Sequence, residues 1–502
     1  MIKIPKTVNV CEDKYVCWGH TEFGNETEEC LFKLLNTDFE VTLNHIPCEV
    51  RECRVSAIPF NRPWPGKQRP LDQTESAGYI TFSADEAVEL RVKRKKKFDS
   101  AIIRPLSKNV EVTVAEDQAV FTLRECGQYV LEFGDTHNVL HIFFEKIKEY
   151  PDAKNATVYF GPGIHFPGVI SLRDNDSVYI DRQAVVFGSL YSAGAKNVKI
   201  FGGGVLDNST EERITEHCYE NHTKGTFRIY NCENVDVSDI ILTNSSTWAL
   251  SMFNCRNIHV NNVKLVGHWR YNTDGIDIVN SEDVSVENCF IRSFDDTISI
   301  KAIYDHPKPV QNITVDRCVM WCGWGKNCEI GIETACTEYK NVTFKNCDLI
   351  HNSHGAMCIS CGNQADMHHL LFENIHVEFQ SEGLPQVLQQ EDGQKYDPCG
   401  KTLLPRMIRN SLKAFAIRTE CATGILRKTS EKPGDIHDIT YRNITVHTDD
   451  PKIKPVIDME ALVGEKKIRN FHLENVFING KKVDCLEAFD LRLVNTENVT
   501  IT

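Results

Sequence analysis

Two short acidic motifs stand out in this chain: Asn272-Thr273-Asp274-Gly275 and Phe294-Asp295-Asp296-Thr297. An aliphatic alternation follows each, Ile276/Ile278 after the first and Ile298/Ile300 after the second. Aligning the isoleucines puts Asp274 and Asp296 at one position in consecutive strands, with Asp295 beside them. Paired strands lie about 4.8 Å apart, and carboxylates that close resist joint ionisation. Hydrolysis of a glycosidic bond with inversion uses such a set. A carboxylic acid protonates the leaving oxygen while a carboxylate on the other face activates water. In this reading Asp274 and Asp296 hold the water. Asp295 has the opposite side-chain parity and is the acid, kept protonated by its two anionic neighbours. Each motif alone also reads as a turn, since Asn, Asp and Gly favour one. Their shared register favours the catalytic reading. Strict alternation would send Asp274 and Asp296 toward the core, so the strand entry has to bend, with Gly275 as the pivot.

The same alignment supplies neighbours. The preceding coil brings Trp248 before Leu250/Met252, and the following coil brings Cys328 before Ile330/Ile332. Trp248 is either a sugar platform or a core cap. Lys301 falls on the outward face between Val279 and Glu333. A Lys301–Glu333 pair is either a surface bridge or a binder of sugar hydroxyls. Trp269, Tyr271, Trp321 and Trp324 lie in turns near the site, where aromatics stack on sugars or pack. The expected substrate contacts are Trp248, Trp269, Tyr271, Asn272, Lys301, Trp324 and Glu333. No zinc spacing is present, and neither metal nor cofactor is expected.

The elements that must position these residues are visible as a repeat. From about Val158 a polar–aliphatic–polar–aliphatic unit recurs. It reads Asn197-Val198-Lys199-Ile200, Asn234-Val235-Asp236-Val237, Asn257-Ile258-His259-Val260 and Asp283-Val284-Ser285-Val286. It continues at Asn312-Ile313-Thr314-Val315 and Asn341-Val342-Thr343-Phe344, with late copies at Asn443 and Asn498. The central copies recur at roughly 23 to 29 residues, a solenoid period. One coil alone cannot bury its apolar face, so stacking supplies the core. The asparagines precede strands, where turn residues tolerant of left-handed backbone belong, and are placed to form ladders. The solenoid turn explains them better than glycosylation does. Before residue 150 the texture differs: short alternating stretches at 40–43, 79–82, 110–114 and 119–123 predict an antiparallel β-sandwich. The prolines around Trp64 mark a loop. The expected fold is therefore all-β: a sandwich over 1–150, then a right-handed parallel β-helix over 151–502. Residues 380–435 break the rhythm and read as an insertion over one face.

A chain of 502 residues, 41% of them hydrophobic, can bury a large core. The net charge of -14 argues against a nucleic-acid partner, and none is expected. The basic stretch Arg91–Lys97 begins with alternation at Val92 and reads as an exposed strand. No apolar run is long enough to span a bilayer, so no membrane partner is expected. Met1–Lys6 carries no apolar signal core, which implies a cytoplasmic protein unless a leader precedes it. The 20 cysteines are irregularly spaced, several within alternating strands, and read as reduced core residues. Nothing specifies an oligomeric state.

At the acidic motifs the chain resembles the clan N glycoside hydrolases, which hold the polygalacturonase family 28 and the dextranase/isopullulanase family 49. Asn272–Gly275 and Asp295-Asp296 match the shared clan motifs, and the likeness runs from about Tyr159 to Phe379, including Phe160-Gly161-Pro162-Gly163. The resemblance implies the same roles for Asp274, Asp295 and Asp296. It also marks two departures from family 28. Polygalacturonases carry G-H-G after the paired aspartates, where Gly325-Lys326-Asn327 stands here. They carry R-I-K for the uronate carboxylate, where this chain reads Cys358-Ile359-Ser360. Family 49 members also place a β-sandwich before the helix, and Met320–Trp324 leading to Ile330-Gly331-Ile332 is similar in texture to them. The resemblance thus implies an inverting glycoside hydrolase acting on a carbohydrate substrate, a neutral α-glucan-like poly- or oligosaccharide before a uronate. A β-helical polysaccharide lyase and a non-catalytic glycan-binding β-helix are the alternatives.

Overall fold

The computed structural model describes residues 1–6, 34–56, 74–211, 224–270, 272–303, 308–380, 405–412, 434–462 and 464–502. It also describes the backbone of strands at 15–18, 29–32, 385–388 and 397–402. The repeat folds into rungs. From Val158–Phe160 to Thr496–Ile501 a 31-stranded assembly forms, in which strands pair in parallel with their counterparts one turn on. It is a right-handed parallel β-helix with three sheets. The first sheet holds the repeat strands, such as Arg256–Asn261, Glu282–Glu287 and Val310–Asp316. The second holds short strands such as Lys264–Leu265, Phe290–Ser293 and Val319–Cys322. The third holds Leu250–Phe253, Ile276–Val279, Ile298–Ala302, Lys326–Thr334, Gly355–Cys361 and Arg406–Leu412.

The leading residue of all eight repeat copies lies in left-handed backbone, from Asn197 at φ 60 to Asn498 at φ 54, with Asp283 at φ 57. Asn and Asp adopt that region more cheaply than other L-residues. The asparagine amides then bond from rung to rung: Asn234 donates to Asn197 at 3.0 Å, Asn257 to Asn234 at 2.7 Å, Asn312 to Asp283 at 2.9 Å and Asn341 to Asn312 at 3.2 Å. Inside, Ile258, Val284, Ile313 and Val342 stack with buried Cys289, Cys318 and Cys347, which are free thiols.

Besides a hairpin of Tyr15–Trp18 and Glu29–Phe32, the N-terminal region forms a six-stranded and a five-stranded sheet around their own core of Val41, Leu90, Val92, Phe121, Leu131 and Ile142. Pairing is antiparallel except between Leu140–Glu145 and Thr74–Ala84, which run parallel. Arg91 lies within the strand Val88–Arg94. Residues 110–112 are not strand; pairing begins at Thr113–Ala115. The six-stranded sheet lies against the outer face of the helix's second sheet, where Tyr79, Val130 and Phe143 pack on Phe290, Val319, Trp321 and Ile350. Second-sheet strands are therefore buried on both faces. The expected insertion at 380–435 is corrected in part. Arg406–Leu412 is a rung of the third sheet, paired with Gly355–Cys361 and Val456–Ala461. Trp64 and most of the remaining segment lie outside the described residues.

Candidate active site

The acids gather where the second sheet turns into the third. Ile276 faces Ile298 and Ile278 faces Ile300, so Asp274 and Asp296 sit on adjacent rungs, as the isoleucine alignment required. Both precede their strands, and the rungs are locked by Gly275 N–H donating to Asp296 O at 2.8 Å and Asp295 N–H to Thr273 O at 3.3 Å. Gly275 lets the rungs close. A Cβ there would stand 2.4 Å from both Thr297 O and Ile291 Cγ2. The bend turns Asp274 away from the core, and its Oδ2 meets Lys301 Nζ at 2.8 Å on the outward face. Asn272, in left-handed backbone at φ 57, holds the set together. Its amide reaches Asp274 Oδ1 at 3.3 Å and Asp295 Oδ2 at 3.5 Å. Asp296 N–H donates to Asp295 Oδ1 at 3.0 Å, and Lys326 N–H to Asp296 Oδ1 at 2.8 Å. Gly325 borders both carboxylates; a Cβ on it would lie 2.5 Å from Asp295 Oδ1 and from Asp296 Oδ1.

Electrostatics separate the acids. Burial, reinforced by the Asp274 and Asp296 charges, pushes the Asp295 carboxyl well above the usual range. Burial lifts Asp274 to about 6 against the pull of Lys301. Lys301 is buried and clamps a second acid, Asp277, at 2.6 Å. The surrounding carboxylates outweigh its own desolvation and hold the ammonium firmly charged. Asp295 and Asp296 remain half-buried, the more open side of the cluster.

The other expected contacts divide. Trp324 is half-buried beside Gly325, in a stack of turn residues: its ring lies 5.6 Å from Phe294 and 5.7 Å from His354. Trp248 is a packing residue. It is buried against Phe253 and Val279, with Lys301 Nζ 4.0 Å from its ring centroid. Trp269 is fully buried and donates to Asn244 Oδ1 at 3.2 Å, so it offers no sugar platform. Trp321 belongs to the seam with the N-terminal region. Lys301 pairs with Asp274 and Asp277 rather than Glu333, which is buried and acts on it only through its charge. Tyr271 lies outside the described residues.

One register expectation is corrected. Ile298 faces Cys328 and Ile300 faces Ile330, a slip of two residues that sets Lys326, not Cys328, in the column of Asp296. Cys328 fills an isoleucine's place in the core, as a small apolar residue can. Several site residues escaped the sequence reading. Lys326 Nζ pairs with buried Glu329 at 3.0 Å. His354 sits one rung on, its backbone N–H donating to Gly325 O at 3.0 Å and its ring meeting Trp324 O. Burial lowers His354 to about 4, so it is neutral at ordinary pH. Asp277 carried a signal that was there to use: an acid between two core isoleucines must face out beside Lys301. Elsewhere, Asp366, Asp435 and His437 bring ligand atoms within 4.8 Å of one another, but Arg469 already spans Asp435 at 2.9 and 3.1 Å.

The family model described as glycosyl hydrolases family 28 matches residues 161–411, half of the 502-residue chain and the whole acid cluster. The chain belongs to glycosyl hydrolases family 28. Among curated relatives, a probable rhamnogalacturonase A of Aspergillus oryzae is 27% identical over 163 residues, 31% of this chain and 33% of the relative. A probable endopolygalacturonase D of Neosartorya fischeri is 26% identical over 294 residues, 56% of this chain and 49% of the relative. The chain thus spans a third to a half of the length of these two family relatives. Among solved structures, Dex49A from Penicillium minioluteum aligns with TM-score 0.62 at 13% identity, covering 91% of this chain and 92% of that one. That match extends the family 28 helix to the N-terminal region and concerns the fold. The clan N resemblance read from the motifs holds.

Proposed function

We propose that this family 28 protein hydrolyses a glycosidic bond in a uronate-containing polysaccharide, with inversion. The observation that carries the reading is the acid cluster: Asn272 spans Asp274 and Asp295, and Asp296 lies one rung from Asp274. Asp295 is the general acid. Its raised pKa keeps the proton available for the leaving oxygen. Asp274, ionised above about pH 6 and neutralised by Lys301, activates water together with Asp296. Lys326 stands where polygalacturonases carry histidine. Its backbone N–H fixes Asp296, and its ammonium is committed to Glu329.

The neutral α-glucan expected from the sequence gives way to a galacturonan-type substrate. That expectation rested on the missing G-H-G and R-I-K residues. The named family relatives are a probable rhamnogalacturonase A and a probable endopolygalacturonase D, and the outward face of the third sheet carries a cation from another position, Arg409, two rungs beyond Lys326. The test is reducing-end release from polygalacturonan, rhamnogalacturonan and dextran, with the first anomer followed by NMR. Wild type cuts a uronate polymer and releases the inverted anomer. Asp295→Asn folds normally and loses at least about a hundredfold in kcat, the usual share of a general acid. Undiminished turnover by Asp295→Asn would refute the assignment, and cleavage of dextran alone would refute the substrate class.

A further inference from the structure

The third sheet presents an outward row that starts at the acids and runs away from them: Asp277, Ser299, Glu329, Cys358, Arg409, Asp458. Each is in register with the next. Arg409 alternates with core residue Ile408 and buried Asn410, so its side chain leaves the helix on the outward face of the third sheet. Unlike the buried residues before it in the row, Arg409 is half-exposed.

Among the described residues its charge has no partner. The acid on the next rung, Asp458, is held by Arg406 Nε at 2.9 Å. No acid of the described residues lies within ion-pair distance of the Arg409 guanidinium. The other cations of this face are spoken for: Lys301 by Asp274 and Asp277, Lys326 by Glu329. Arg409 nevertheless shares the acid site's field. The His354 ring and the Cys358 thiol each feel both Arg409 and Asp296. Gly355 lies beside it: a Cβ there would clash with Cys358 Sγ at 2.5 Å and touch Arg409 Cβ at 3.5 Å.

We propose that Arg409 is a specificity-determining residue that receives the carboxylate of a uronate unit a few sugars from the scissile bond. The inference rests on the hydrolase reading above and gives its substrate class a residue. Three rungs separate Ser299 from Arg409, about 14 Å at the usual strand spacing. A glycan lying along the helix axis over Asp295 and Trp324 therefore passes Arg409 beyond the reacting bond. A guanidinium with a free fork matches a carboxylate in two parallel hydrogen bonds, which a neutral sugar cannot offer. It does so without the R-I-K pair, whose stretch here is Cys358-Ile359-Ser360.

The test compares wild type, Arg409→Gln and Arg409→Lys on galacturonate oligomers and on the same oligomers with every carboxyl methyl-esterified. Thermal melts establish that each variant is folded, and the lysine variant carries the comparison if the glutamine variant is not. On the acidic oligomer, Arg409→Gln raises KM about tenfold or more, with a smaller change in kcat. Arg409→Lys recovers part of the loss. On the ester the gap between wild type and Arg409→Gln closes. An unchanged KM on the acidic oligomer, or an equal loss on acid and ester, overturns the role of Arg409 and leaves the hydrolase reading standing. Wild type that releases reducing ends from no uronate glycan instead overturns the parent reading, and this inference with it.

Discussion

Lys301 holds its ammonium 2.8 Å from Asp274 and 2.6 Å from Asp277, with Trp248 beneath it. Its charge is what lets Asp274 ionise near pH 6 in a buried place. Lys301→Met removes an influence that lowers the Asp274 pKa, so that pKa rises. The acidic limb of the pH–rate profile then moves to higher pH, and kcat falls at pH 6 more than at pH 8. An unmoved limb would mean that a group other than Asp274 sets it. The cluster of Asp274, Asp295 and Asp296 was legible because aspartates in register one coil apart have few structural uses. The role of Lys301 was legible only as a cation on the outward face. Its partner was misjudged because two acids of the preceding rung, Asp274 and Asp277, reach its ammonium first, at 2.8 and 2.6 Å. Trp248 and Trp269 were misjudged for a simpler reason: a tryptophan in a turn looks the same in sequence whether its ring meets solvent or a lysine.

The asparagine ladders make the rungs stack in register, and the acids depend on that register. Asn312 combines both requirements. At φ 56 it occupies backbone that costs other L-residues roughly 1–2 kcal/mol. Its amide also donates to Asp283 at 2.9 Å and accepts from Asn341 at 3.2 Å. Each such bond is worth about 0.5–1.5 kcal/mol net. Asn312→Ala loses both contributions and destabilises the helix by roughly 2–5 kcal/mol. Asn312→Gly keeps the backbone and loses only the bonds, so it costs less. Urea unfolding of the two variants separates the terms, and equal losses would show that backbone conformation contributes nothing at this position. The ladder could be read from sequence because Asn recurs just before each alternation. The rung at Arg406–Leu412 could not, since it is a third-sheet strand flanked by polar, Pro-containing sequence. The two-residue slip at Cys328 has the same origin: a thiol stands in the core where the pattern offers isoleucine elsewhere.

At the scale of the whole molecule, the sequence announced an N-terminal β region but not where it docks. The signal was present in the second sheet. Runs such as Phe290-Ile291 and Val319-Met320-Trp321 are apolar on both faces, as strands covered on both sides are. The seam also carries buried charge. Arg104 meets Glu132 at 2.7 Å and contacts Glu378 from the helix, and His351 completes the group through Glu132. Burial pushes Glu378 up to about 7 against the pull of Arg104, while His351 and Arg104 hold Glu132 below the ordinary 4.5. Arg104→Met leaves two buried carboxylates without their shared cation, a loss worth roughly 3–5 kcal/mol for a broken buried pair. The pH dependence follows from the sign of the shifts. Without Arg104 the Glu378 carboxyl rises further above its unfolded value, and Glu132 keeps only His351 to hold it down. Near pH 4.5 Glu378 remains protonated and the variant loses little. As pH rises through 7 the unfolded chain releases protons that the folded seam must keep or replace with unpaired charge, and the full penalty develops. Calorimetric melts of wild type and Arg104→Met from pH 4.5 to 8 therefore diverge with rising pH. A gap that stayed constant across that range would assign the role of Arg104 to packing, not to charge.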